Sequence, residues 1–230
     1  MSHEFVEFPS NGGIAQGYLA TPGTGSGPGV VVIQEYWGLV PHIQDVCDRL
    51  AGEGFVALAP DLFHGEKTEE PDEADKLMMA MAIDQAAKDM RGAAAYLKSL
   101  PQVTSEVVGI VGFCMGGALA LYAASISAEI GPVVDFYGGH PEVKPDFSKI
   151  RGPVLGTFAA QDDWIDEAAV HDLDAKLTAA GIPHDFKTYP GTDHAFFNDA
   201  RKDQPNTPYN APAAQDAWVR MLRFFRQHVR

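Results

Sequence analysis

The chain has 230 residues, 46% hydrophobic and 21% charged, an ordinary globular composition with enough length for one sizeable core. A formal charge of −14 at pH 7 repels polyanions, so the chain carries no footprint for nucleic acid and no basic segment to draw it to an anionic membrane surface. No apolar run approaches the roughly 20 residues that span a bilayer, "MSHEFVEFPS" lacks the basic and apolar regions of a signal peptide, and two cysteines without a C-x-x-C spacing favour neither a disulfide framework nor a zinc or dithiol site.

In chain order, "EFVEFP" and "IAQGYLA" flank "SNGG", which predicts an opening β-hairpin. "VVVIQE" is an unbroken apolar run of the kind buried on both faces of a parallel sheet. Helical spacing follows from Pro41 to Glu53, ending at Gly54, and "FVALAP" supplies the next strand. After an acidic stretch, one long helix is expected from about Asp72 to Ser99. "VVGIVGF" and "PVVDFYG" are two further buried strands around a helix from about Met115 to Ser127. "PVLGTFAA" and "HDFKTYP" bracket a helix from about Glu167 to Ala179, and "APAAQDAWVRMLRFFRQHV" closes the chain as an amphipathic helix. Strands alternating with helices predict one α/β domain over residues 1–230, a doubly wound and mainly parallel sheet with helices on both faces.

The segment "VVGIVGFCMGGALALYAA" places Cys114 where a strand turns into a helix, within the pattern Gly112-Phe113-Cys114-Met115-Gly116. Such a turn needs glycines because it leaves no room for Cβ atoms, and it aims its middle side chain outward. A helix N-terminus there also favours a thiolate. Two rivals compete: a small buried filler, and a glycine-rich phosphate loop with Asp135 as ribose acceptor. The second lacks the G-x-G-x-x-G spacing and does not follow the first strand.

A catalytic triad on this kind of sheet runs nucleophile, acid, histidine, each on a loop after a strand. Asp162 and Asp163 follow "PVLGTFAAQ", and His194 follows "HDFKTYPGTD". Of eight histidines, His64, His140 and His194 lie on loops near strand ends, and His194 alone follows the last strand. His42, His171 and His228 are expected at exposed helical positions. His194 would take the thiol proton while an acid fixes its tautomer. Asp162, Asp163 and Asp166 all remain candidates for that acid, with Asp166 also well placed to cap the following helix.

Taken together, "VVVIQEYWGL", "APDLF", "GFCMGG", "DFYGG", "AAQDDWI" and "GTDHAFFN" resemble, in content and order, the dienelactone hydrolase (carboxymethylenebutenolidase) family of α/β-hydrolases over nearly the whole chain. The resemblance implies an α/β-hydrolase fold and a cysteine-dependent hydrolase of lactones or activated esters working through a thioester. It maps the nucleophile to Cys114, the histidine to His194 and, through "AAQD", the acid to Asp162. It adds Glu35, a carboxylate that contacts the resting thiol and helps deprotonate it when substrate arrives. The oxyanion would be held by the backbone N–H groups of Met115 and Tyr36. No metal or organic cofactor is implied.

The chain departs from the family where two arginines hold the substrate's carboxylate: those positions are Gly65 and Asn198 here. Arg91 and Arg201 are the cations left to substitute for them. Trp37, Tyr137, Phe63 and Phe196 lie in the matching loops and are expected to wall a more apolar pocket. The expected partner is a small lactone or ester, with no nucleic acid and no membrane, for a monomer in the cytoplasm. The competing reading is a non-catalytic α/β-hydrolase-fold protein that binds a small molecule.

Overall fold

The computed structural model describes every residue except Asn11, Gln204 and Pro205, together with the side chain of Arg201. Strands β1 (Ser2–Ser10) and β2 (Gly13–Thr21) form the expected hairpin, although Asn11 of its turn lies outside the described residues. The remaining strands are β3 (Gly29–Ile33), β4 (Val56–Pro60), β5 (Val108–Phe113), β6 (Ile130–Phe136), β7 (Val154–Ala159) and β8 (His184–Tyr189). They make one eight-stranded sheet in the order β1-β2-β4-β3-β5-β6-β7-β8. β1, β2 and β4 pair antiparallel, and all pairs from β4–β3 onward are parallel. No helix among the described residues is long and apolar enough to cross a membrane.

The apolar runs read as buried strands are covered on both faces, because alternate side chains enter two separate cores. Val30 and Val32 of β3 point into one, with Val111 and Phe113 of β5. Val31 and Ile33 point into the other, with Val108 and Ile110. Helices α1 (Pro41–Gly52) and α6 (Ala211–His228) cover the first face through Ile43, Val46, Leu50, Trp218, Met221 and Phe225. The second face is covered chiefly by α3 (Ile83–Ser99) and α4 (Met115–Ile126). Helix α5 (Glu167–Ala179) joins β7 to β8, burying Leu177, and is capped by Asp166, whose Oδ1 accepts from the Ala169 N–H at 2.8 Å.

Two expectations need correction. The long helix from Asp72 to Ser99 is two helices, α2 (Pro71–Ala80) and α3, separated by Met81 and Ala82 in extended backbone. The interruption resets the helical phase. α2 stays largely exposed and buries only Ala74 and Met78, whereas α3 lays Ala86, Met90, Ala93, Ala94 and Leu97 on the sheet. His42, expected on an exposed helical face, is buried at 4% exposure, its ring against Phe113 and Phe197.

The hairpin is tied to α3 by a buried carboxylate. Asp89 accepts hydrogen bonds from the Ser10 hydroxyl and from Gln85 Nε2, and His64 Nε2 lies 3.3 Å from its other oxygen. On the opposite face, Phe225 stacks edgewise on Phe55 and fills the space above Gly109, where a Cβ would meet its ring at 2.8 Å. Phe225→Ala is expected to destabilise the protein by about 3–5 kcal/mol, read as a lower urea midpoint with an unchanged slope.

Candidate active site

Four loops leaving the carboxyl ends of β3, β5, β7 and β8 converge on one cavity of about 290 Å³, with Glu35, Tyr36, Trp37, Cys114, Trp164, His194 and Asn198 among its walls. This is the edge at which parallel sheets of this kind gather their sites.

Cys114 sits at the junction of β5 and α4 with φ 56 and ψ −127, backbone that non-glycine residues seldom adopt. Its N–H donates to the Phe136 carbonyl at 3.0 Å, and its own carbonyl accepts from the Gly117 N–H at 2.9 Å, which pins both sides of the turn. The glycines around it are needed for space. A Cβ on Gly112 would strike the Gly116 carbonyl, and one on Gly116 would lie 2.5 Å from the Gln34 carbonyl. Cys114 is 4% exposed but lines the cavity, whereas Cys47 is fully buried in the core beneath α1, where burial pushes its thiol up and leaves it inert. Met115 opens α4, so its N–H has no acceptor within the helix.

Asp162 is the acid that the structure brings to the histidine. Its Oδ2 accepts from His194 Nδ1 at 2.8 Å, while Oδ1 accepts from the N–H groups of Trp164 and Ile165 at 2.8 and 2.9 Å. Asp163 is exposed, and Asp166 caps α5. Burial pushes the Asp162 carboxyl up, but the bonds from His194 and the two backbone donors outweigh it and hold the group below the usual carboxylate range. For His194, burial disfavours the charged ring, but Asp162 and Cys114 overcome it and raise the imidazole from 6.5 to about 10. With Nδ1 committed to Asp162, Nε2 is the ring nitrogen left for Cys114.

Glu35 is almost wholly buried. Its Oε2 accepts from Asn198 Nδ2 at 2.5 Å, and Oε1 makes no hydrogen bond of ordinary length among the described residues, with the Tyr137 phenol nearby. Of the two positions where the resemblance leads one to expect arginine, Asn198 is engaged with a carboxylate of the protein itself. Gly65 is exposed at φ 98, and its N–H donates to Asp61 at 2.7 Å. Arg91 lies elsewhere, beside Pro9 and Lys88 in a separate depression, and the Arg201 side chain is outside the described residues.

Of the four aromatic residues expected as walls, Trp37 lines the cavity. Tyr137, Phe63 and Phe196 belong to the cores. Tyr137, held at φ 43, packs its ring 5.1 Å from that of His194. Burial, with Glu35 and Cys114 nearby, pushes its phenol up. The wall that sequence reasoning missed is Trp164, 55% exposed and packed against both Tyr36 and His194 at ring separations of 5.7 and 5.0 Å. Its signal was an aromatic residue two positions beyond the acid in "QDDW", in a loop where hydrophobic side chains have no core to enter.

Asp135, the ribose acceptor of the nucleotide-loop alternative, is sealed beneath the turn. Its carboxyl fits between Gly117 and Gly138, where any Cβ would collide with it. Burial raises it to about 7, with the Gly138 N–H pulling the other way. No ligand reaches it there. Among the described residues, no group of three or more His, Cys, Asp or Glu side chains is placed to hold a metal ion.

The model of the dienelactone hydrolase family matches residues 15–229. The chain belongs to the dienelactone hydrolase family. It is 37% identical to "Protein usf" of Aquifex pyrophilus, across 98% of this chain and 99% of that one. It is 33% identical to a "Putative carboxymethylenebutenolidase" of Aquifex aeolicus, across 99% of each. Among solved structures, a "Putative Dienelactone Hydrolase" from Klebsiella pneumoniae superposes with a TM-score of 0.85 at 30% identity, covering 99% of this chain and 100% of that one. Dienelactone hydrolases of this kind carry the α/β-hydrolase fold, so the sheet and hairpin described above are the family's own.

The raised His194 makes a prediction about stability. Its folded pKa of about 10 lies above the ordinary 6.5, so the folded state binds the proton more tightly than the unfolded chain does. That contribution is complete below about pH 6.5 and disappears as pH climbs toward 10. Urea unfolding of wild type and His194→Gln across pH 6 to 10 should therefore show the largest stability gap at pH 6, closing steadily with rising pH. A gap independent of pH would contradict the assignment.

Proposed function

We propose that this member of the dienelactone hydrolase family hydrolyses lactones or activated carboxylic esters with Cys114 as nucleophile, through a thioester acyl-enzyme. One observation carries the reading. A cysteine in strained backbone at a helix N-terminus shares a cavity with a histidine whose far nitrogen is fixed by a buried aspartate.

In this mechanism the Cys114 sulfur, as thiolate, adds to the substrate carbonyl carbon. The carbonyl oxygen takes the negative charge and is held by the Met115 and Tyr36 N–H groups. Protonated His194 gives its Nε2 proton to the leaving oxygen as the C–O bond breaks and the thioester forms. For a lactone the released hydroxyl stays on the acyl chain. Neutral His194 then removes a proton from water, whose oxygen attacks the thioester. Collapse of that intermediate returns the thiolate and releases the carboxylic acid, with Asp162 holding the ring in one tautomer throughout.

Glu35 has one oxygen held by Asn198 and the other without a hydrogen bond of ordinary length in the same buried wall, which supports its reading as acceptor of the resting thiol's proton. The substitution of Gly65 and Asn198 for the carboxylate-binding arginines favours substrates that carry no carboxylate. Two free cysteines, both buried, are compatible with a reducing cytoplasm.

The test is turnover of p-nitrophenyl acetate and of dienelactone. Cys114→Ser and iodoacetamide treatment should each abolish ester turnover. Asp162→Asn should lower kcat by about 10²-fold or more. Acetate should be turned over well and dienelactone poorly. If wild-type protein turns over neither substrate and Cys114 resists alkylation, the hydrolase reading fails and the small-molecule-binding alternative takes its place. For Glu35→Gln, kcat/KM should drop at least tenfold with the unfolding midpoint preserved; full activity would remove Glu35 from the mechanism.

A further inference from the structure

A second cavity of about 280 Å³ adjoins the first. Trp37 and Asn198 belong to the walls of both. Beyond them the second cavity is bounded by Val40 and Pro41 at the start of α1, by Thr68 and Glu69 of the loop after β4, and by Ala200. Neither Cys114 nor His194 reaches it, so it is no place for bond breaking. Its position relative to those two residues assigns it a role. A leaving group has to lie beside His194, which supplies its proton, and His194 stands with Trp164 and Ala195 in the first cavity. The other substituent of the carbonyl must depart from Cys114 in a different direction, and the second cavity is the space that shares Trp37 and Asn198 with the first.

Resting on the hydrolase reading above, we propose that this second cavity is an acyl-chain subsite: it takes the uncharged hydrocarbon part of an ester whose carbonyl is held at Cys114. Val40, Pro41, Ala200 and the Trp37 ring offer apolar surface to such a chain. The charges around it are acidic. Glu69 is in the wall, Glu35 lies behind Asn198, and Asp199 is 3.4 Å from the buried His42 ring at the cavity's base. No lysine or arginine side chain lines either cavity among the described residues. A carboxylate at the end of the acyl chain would therefore meet like charge, while each methylene moved from water into the cavity gains binding. The substrate class is thus an ester or lactone with a neutral, medium-length acyl portion.

The experiment keeps the leaving group constant and varies the acyl chain: p-nitrophenyl acetate, butyrate, hexanoate and octanoate, with p-nitrophenyl hemisuccinate as the charged counterpart of the four-carbon ester. The expected result is a kcat/KM that rises by up to roughly fourfold per methylene until the cavity is full, with hemisuccinate at least tenfold below butyrate. Filling the cavity with Ala200→Trp, or independently with Thr68→Phe, should lower the hexanoate-to-acetate ratio at least tenfold. Acetate turnover with a flat chain-length series overturns the subsite alone. So does a ratio that neither filling variant moves while both remain folded. Hemisuccinate equal to butyrate overturns the neutral-chain assignment. Absence of acetate turnover in the wild type overturns the hydrolase reading itself, and the subsite with it.

Discussion

Everything at the candidate site depends on the backbone of one residue. At Cys114 the chain must leave β5 and enter α4 within a single step, and positive φ is the conformation that allows it. A residue with a Cβ is strained there by something on the order of 1–3 kcal/mol, so the surroundings must hold the turn closed. They do so by close backbone packing. Gly112 and Gly116 let the two limbs of the turn touch each other and the end of β3, while Gly117 and Gly138 admit the Asp135 carboxyl beneath. Exchanging any of these glycines for alanine would set steric repulsion against the hydrogen bonds that pin Cys114. The same turn delivers the thiol to a helix N-terminus and leaves the Met115 N–H without an acceptor within the helix, so strain and charge stabilisation share one local cause.

Around that turn the electrostatics are those of an anionic protein that shields one cation. His194 is held protonated by Asp162 and Cys114, against the cost of its own burial. Asp162 remains charged because His194 and two backbone N–H groups face it. Glu35 is less completely paired, with an amide on one oxygen and the Tyr137 phenol as its neighbour. An arginine at position 198 would have neutralised Glu35 or bound a substrate carboxylate; an asparagine provides a directional hydrogen bond and no charge.

The sequence made the fold legible because the buried strands are nearly pure apolar runs with glycine or proline at their ends, and because both sides of each run must be covered. The elbow and the order Cys114, Asp162, His194 were legible for the same reason, since each residue follows such a run. Selecting Asp162 over Asp163 and Asp166 required more than spacing; in the folded protein the decision is made by which side chain turns toward His194 and which caps α5. The break at Met81 and Ala82 was hidden because neither residue is a helix breaker. Their extended backbone answers to the sheet that α3 must cover. Phe63, Tyr137 and Phe196 could not be told from cavity walls in sequence, as an aromatic residue near a strand end can face either the core or the cavity. His42 was misjudged for a similar reason: its ring enters a core formed by residues far away in sequence, Phe113 and Phe197.

The named residues of the cavity wall are spread along the chain from Glu35 to Asn198, and His194 comes from the loop after β8, an edge strand that among the described residues pairs only with β7. Contacts of such sequence separation form late, after the entropy of closing long loops has been overcome. Synthesis delivers Cys114 before Phe136, whose carbonyl pins its turn, and before Asp162 and His194. During synthesis the thiol passes through an interval without Asp162 and His194, and the finished cavity appears only when the final strand docks. Restoration of cavity chemistry after dilution from denaturant would consequently report completion of the far edge of the sheet, a later event than formation of the central strands.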